Sequence, residues 1–184
     1  DLSNWWLYPY PKNLSLYQTP KIISQVLSTR GNFMIDLKGE FYFLGGGTAG
    51  GNAIKVKNDD PSELKYLLGI LNSKITTFYV SKIASGFRGG FYAFGKGSLQ
   101  SLPLPEIDHS NDLDQKRYNT VVFSVEQILQ LHKDRESART PQDKELIQRQ
   151  IDATDNQIDT LVYELYGLSE DEINIIDPDY NSVK

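Results

Sequence analysis

Three features of this 184-residue chain predict an α+β fold, with a small mixed or antiparallel sheet and a packed helix followed by a C-terminal antiparallel helical hairpin. Short apolar runs punctuated by glycine and proline fill the first hundred residues, the pattern of strands and tight turns. Beyond Asp112 apolar residues instead recur every three or four positions for some fifty residues, the period of helices. Charge divides at the same place: residues 1–108 carry 11 Lys and Arg against 8 Asp and Glu, whereas residues 109–184 carry 8 against 16. We therefore divide the chain into an α/β domain at 1–108 and a helical region at 109–184. With 39% hydrophobic and 23% charged residues, it has apolar material enough for one substantial core and too much for disorder.

In chain order, Lys21-Ile22-Ile23 and Gln25-Val26-Leu27 read as strands, and Asn32 to Asp36 as another. A turn at Lys38-Gly39 then predicts a hairpin with Phe41-Tyr42-Phe43-Leu44. A glycine-rich run, Gly45 to Gly51, leads into the alternating strand Ala53 to Lys57. Asp60-Pro61-Ser62-Glu63 opens a helix, with Asp as N-cap, Pro in the first turn and Glu at the capping-box position. Leu64, Leu67, Leu68, Leu71, Ile75, Phe78 and Tyr79 continue it as one apolar face over about five turns. Gly86 to Gly95 reads as a loop and a short aromatic strand, and Pro103 and Pro105 mark a domain edge. Tyr118, Val121, Val122, Val125, Ile128, Leu129 and His132 define one face of the first long helix, on which His132 is expected to be partly buried. The second long helix starts after Thr140-Pro141, carries Ile147, Ile151, Ile158, Leu161, Val162 and Leu165, and stops at Gly167. Ser169-Glu170-Asp171-Glu172 begins a last short helix.

Composition excludes several chemistries. No run approaches the ~18 to 20 apolar residues of a membrane span. The absence of Cys removes disulfides, thiolate catalysis and cysteine zinc sites, and fits a cytoplasmic setting. His109 and His132 alone cannot build a histidine metal centre and have no triad around them. The glycine run lacks the Lys-Ser/Thr of a phosphate loop and is followed by a strand, so it reads as a turn. Asp36-Leu37-Lys38 and Glu63-Leu64-Lys65 have the letters of a metal-nuclease pair, but one lies at a turn and the other in a capping turn. Asp177-Pro178-Asp179-Tyr180 resembles the Asp/Asn-Pro-Pro-Tyr element of amino-methyltransferases imperfectly and out of place, and reads as a turn in a fraying tail. No catalysis, metal or cofactor is expected in this chain, and its start without an initiator Met reads as a piece of a longer protein.

From Leu64 through Pro105 there is no acidic residue, while Lys65, Lys74, Lys82, Arg88 and Lys96 alternate with seven aromatics. Within that stretch Leu64-Lys65-Tyr66-Leu67-Leu68-Gly69-Ile70-Leu71-Asn72-Ser73-Lys74, Gly86-Phe87-Arg88-Gly89-Gly90 and Leu102-Pro103-Leu104-Pro105 resemble, in order and spacing, the TaqI-like C-terminal specificity domain. Thr19-Pro20-Lys21-Ile22-Ile23, Phe33-Met34-Ile35-Asp36 and the late segment Ile158 to Ser169 extend the resemblance over nearly the whole chain. The resemblance implies a target recognition domain of a larger adenine-specific DNA methyltransferase, of the kind found in type IIG restriction-modification and phage-defence systems. Double-stranded DNA would be its ligand. An upstream methyltransferase domain of the same protein would be its partner and would hold S-adenosylmethionine and flip the target adenine.

A DNA reader needs cations for phosphates and a few donors aimed at base edges. The leading candidates are Arg88 for a guanine edge or phosphate, Ser85 and Tyr92 for polar contacts, and Lys82 and Lys96 for phosphates. Gly86, Gly89 and Gly90 would let the main chain come close. Arg30, Lys55 and Lys57 are further phosphate candidates, and Thr48 and Asn52 could reach bases. Phe87, Phe91, Tyr92 and Phe94 are expected to pack the sheet. The acidic hairpin repels phosphate and is expected to set spacing, to dock on the catalytic domain or to mediate an oligomer. Two rival readings are a protein-interaction module of a restriction or defence complex, and a nuclease built on Asp36 or Glu63.

Overall fold

The computed structural model describes residues 14–43, 45, 47 and 50–180. Among them the fold is α+β, with two three-stranded antiparallel sheets, a central helix pair and a long helical hairpin. After a short helix α1 (Leu14–Tyr17), the first sheet has the order β3-β1-β4, from Phe33–Asp36, Lys21–Gln25 and Gly51–Ile54. The second has the order β2-β6-β5, from Leu27–Ser28, Phe91–Ala93 and Gly86–Phe87. Val26 joins them: its N–H donates to Gly50 O at 3.1 Å and its carbonyl accepts Phe94 N at 2.7 Å.

The expected hairpin between residues 33–36 and 41–44 does not form; Phe33–Asp36 pairs with β1 instead, and Phe41 to Phe43 are not strand. Asp36 explains the difference. Its carboxylate accepts the amides of Gly39 (2.9 Å), Glu40 (3.1 Å) and Phe41 (3.0 Å), occupying the donors a returning strand would offer. Leu44 lies outside the described residues.

The single helix expected from Leu64 to Tyr79 is two, α2 (Pro61–Asn72) and α3 (Lys74–Ile83). Ser73 breaks it: its backbone is extended, and its hydroxyl caps α3 by accepting from Thr76 N. Asn72 then turns its carboxamide onto β3, accepting from Phe33 N at 2.8 Å and donating to Phe33 O at 3.0 Å. It satisfies the outer strand as a neighbouring strand would. Asp60 caps α2 as expected, accepting from Ser62 N, whereas the reciprocal capping box forms at Ser169 and Glu172.

The hairpin is α5 (Asp112–Ser137) and α6 (Pro141–Leu165), capped by Asn111 and Thr140, with α4 (Lys96–Gln100) before it and α7 (Glu170–Ile176) after it. Helix α2 packs against β1 and β3 and against α5 and α6. One apolar core therefore includes Ile22 and Phe33 of the first sheet, Leu64 and Leu68 of α2, and Val121, Val125, Ile158 and Val162 of the hairpin. Gly69 permits the close approach of the helices. A Cβ there would sit 2.9 Å from Val121 Cγ1 and 3.1 Å from Val125 Cγ2. His132, beyond this packed end, is exposed rather than partly buried.

Asp177 also departs from expectation. It is buried, accepts from Lys74 Nζ at 2.7 Å and from Tyr163 OH at 3.2 Å, and so anchors the chain after α7 to the start of α3. No described helix is long and apolar enough to cross a membrane.

Candidate nucleic-acid interface

The acid-free stretch leaves α3 at Ala84, whose extended backbone turns the chain into a small hairpin of β5 and β6. Gly86 pairs with Tyr92 and Phe87 with Phe91, leaving Arg88-Gly89-Gly90 as the connecting turn. Both glycines have positive φ, 87° and 77°, a backbone that residues with a Cβ adopt at a cost. The turn therefore holds Arg88, which is exposed, at its tip.

Because alternate residues of a strand face opposite ways, the hairpin has two unlike faces. Tyr92 lies on the inner one, half-buried and lining a cleft with Arg30, and Ser28 of β2 pairs beside it. The outer face carries Phe87 and Phe91, 43% and 41% exposed. Expected to be sheet packing, the four aromatics are thus divided: Phe94 is 1% exposed and stacks edge-on to Phe33, whereas Phe87 and Phe91 face solvent. The signal was available in sequence, since two Phe flanking a three-residue turn must oppose each other on one face.

Cations in the region divide by whether they are neutralised. Lys65 pairs with Glu126, Lys74 with Asp177 and Asp159, and Lys55 with Asp59 at 3.0 Å. Among the described residues Lys82, Arg88 and Lys96 form no ion pair. The Lys82 ammonium lies 4.8 Å from the centre of the Phe78 ring, at the end of α3 that feeds the hairpin. No described carboxylate competes with an outside anion for these three side chains.

The remaining candidates group elsewhere. Asn52, Lys55 and Lys96 line an apolar cavity of about 600 Å³ with Leu67, Leu71 and Leu99. Asn52 donates its amide to Phe94 O at 3.0 Å and to Ser24 Oγ at 3.4 Å, a bridge between the two sheets. Lys57 is exposed in the 3-10 turn before α2, and Thr48 lies outside the described residues. Arg30 faces a cleft of about 850 Å³ whose hairpin wall carries Asp152, Asp155 and Asp159. Phosphate would be repelled there, whereas residues 84–95, which hold the β5–β6 hairpin, include no acid.

The Asp36 carboxylate is structural. Buried Asp36 holds the ammonium of buried Lys21, which also donates to Tyr17 O. Burial would raise its carboxyl, but Lys21 and the amides of Phe41 and Glu40 outweigh it and bring it down to about 2. With both oxygens committed, Asp36 is not available to a metal. No group of three His, Asp or Glu among the described residues could hold one. Burial pushes Asp159 up to about 6, against the amide and charge of Lys74.

A family model described as the TaqI-like C-terminal specificity domain matches residues 8–104, from before α1 to the Leu-Pro exit after α4. The type II restriction enzyme and methyltransferase RM.Eco57I of Escherichia coli is 30% identical over 150 residues, which cover 82% of this chain and 15% of that protein. This chain is thus one part of what the relative contains. Together with the motif order and the fold that carries it, these matches establish that the chain belongs to the family of TaqI-like C-terminal specificity domains.

Proposed function

We propose that the chain recognises a short sequence in duplex DNA on behalf of an adenine-specific methyltransferase of the restriction-modification kind. The observation that carries this reading is the β5–β6 hairpin, whose glycine turn presents an unpaired, exposed Arg88 in a stretch free of acids. A guanidinium at such a tip can donate two bonds to guanine O6 and N7 in the major groove. Lys82 supplies a phosphate contact that fixes the approach, Lys96 a second, more distant one from the separate cavity it lines, Ser85 is a polar contact beside Arg88, and Gly86, Gly89 and Gly90 keep the main chain slim. Residues 1–108 form the reading part and 109–184 the spacer. Exposed Leu113, Phe123 and Leu146 on the hairpin helices give it surface to dock on a catalytic domain or on a second copy.

S-adenosylmethionine does not fit this chain. The strand after the glycine run, Gly51–Ile54, lies in an antiparallel sheet, not in the parallel crevice where such nucleotide-like cofactors bind at a helix N-terminus. The cofactor and the methyl transfer belong to another domain of the intact protein, in a type IIG or phage-defence setting within the cytoplasm. The test is enrichment of a randomised 30-bp duplex library on the full-length protein. A short consensus bound with an affinity that falls steeply with salt, with a log–log slope near −3 if about three cations each displace a counterion, supports recognition. No consensus, or binding indifferent to salt, contradicts it.

A further inference from the structure

The outer face of the β5–β6 hairpin carries something that hydrogen-bond readout does not need. Phe87 and Phe91 stand directly opposite one another and expose 43% and 41% of their surface, Phe87 on the edge strand β5 and Phe91 on β6 beside it, with the Arg88 turn between them. Among the described residues neither ring stacks on another aromatic. The Phe91 ring lies over the turn, 3.5 Å from where a Cβ on Gly89 would be. An unprotected pair of aromatics at a sheet edge invites aggregation unless a partner covers it.

We infer that Phe87 and Phe91 are an aromatic wedge that enters the base stack of the bound duplex, held there by Arg88 between them. Charge selects the partner. The stretch from Leu64 to Pro105 has no acid, and Arg88 between the two rings in sequence and Lys82 shortly before them form no ion pair among the described residues, so the hairpin attracts a polyanion. Apolar side chains flanked by arginine partly unstack a base step and kink the duplex, at a cost that depends on which step is opened. Gly86 and Gly90 have open space where a Cβ would be, leaving room for the sugar-phosphate backbone beside the wedge. Part of the sequence preference is then read as the ease of opening one step, at positions that no side chain hydrogen-bonds.

This inference rests on the DNA-reading function proposed above, and the two fail differently. The probe is a 30-bp duplex bearing the enriched sequence, with 2-aminopurine placed at each position in turn and bound to the full-length protein. One position besides the flipped target adenine brightens on binding. The Phe87→Ala/Phe91→Ala double variant loses that signal, and its discrimination at that step falls by about tenfold, the scale of one mismatched pair. Its melting temperature is unchanged, because the rings are not core. Phe87→Leu/Phe91→Leu, still an apolar wedge, retains the signal. An enriched site without any Phe-dependent brightening overturns the wedge and leaves recognition standing. Failure to enrich any duplex removes both. A double-alanine variant that melts early, or that separates from its catalytic domain, assigns the rings to internal or protein contacts and overturns the wedge.

Discussion

Lys21 and Asp36 form an ion pair that is almost wholly shielded from water, 0% and 3% exposed, and three backbone amides complete the shell around the carboxylate. Removing one partner strands the other charge. Asp36→Ala should destabilise the domain by about 3–5 kcal/mol, measured by denaturant unfolding. Because the folded carboxyl titrates at about 2, below its ordinary 3.8, the stability it contributes is present above about pH 4 and lost as pH falls toward 2. Asp159 has the opposite sign. Its folded value of about 6 lies above 3.8, so the fold binds its proton more tightly than the unfolded chain does. The stability associated with that proton is complete below pH 3.8 and lost as pH rises through 6, a difference of about 3 kcal/mol. Asp159→Asn keeps the oxygen that accepts Lys74 N and should melt higher than the parent at pH 8, with the gap closing by pH 4. A melting temperature that does not rise at pH 8 would show that the charge is not held against burial.

At the scale of elements, the close seat of α2 on α5 yields another expectation. Gly69→Ala drives a methyl into Val121 and Val125 and should cost about 1–3 kcal/mol, whereas alanine in an exposed helix would stabilise; calorimetric melting distinguishes the two. Helices α6 and α7 were legible with their starts at Pro141 and Glu170 from their caps, and α5 from its three-and-four spacing, because both are local signals. Two elements were not. The apolar spacing from Leu64 to Tyr79 continues through Ser73, and only the tertiary need of Phe33 for the Asn72 carboxamide shows why the helix stops there. Likewise Gly39 reads as a hairpin turn until Asp36 is seen to take the amides that follow it. Ser73→Ala removes the cap of α3 and should cost about 1 kcal/mol, with the fraying reported by amide exchange of Lys74 to Thr77.

Over the whole molecule, the charge asymmetry read from sequence becomes spatial. Lys65 and Lys74, near the acidic helices, are neutralised by Glu126 and Asp177, whereas Arg88 of the β5–β6 hairpin is left unpaired among the described residues. The sequence stripe of Lys82, Arg88 and Lys96 was visible beforehand. That Lys96 and Lys55 line a separate cavity, and that Arg30 faces acids, depends on how the sheets fold back and was not. If the hairpin reads DNA, its cations differ in kind: a base-reading arginine acts at one position and a phosphate-binding lysine at all of them. The decisive measurement is the affinity of the full-length protein for every single-base variant of its enriched duplex, with Arg88→Ala and Lys82→Ala in parallel. Arg88→Ala should lose about 1–3 kcal/mol on the enriched sequence and flatten discrimination at one position, while Lys82→Ala weakens every duplex alike and lowers the salt slope by about one. An Arg88→Ala protein that keeps the full discrimination profile would contradict the assignment of the hairpin as the reading element.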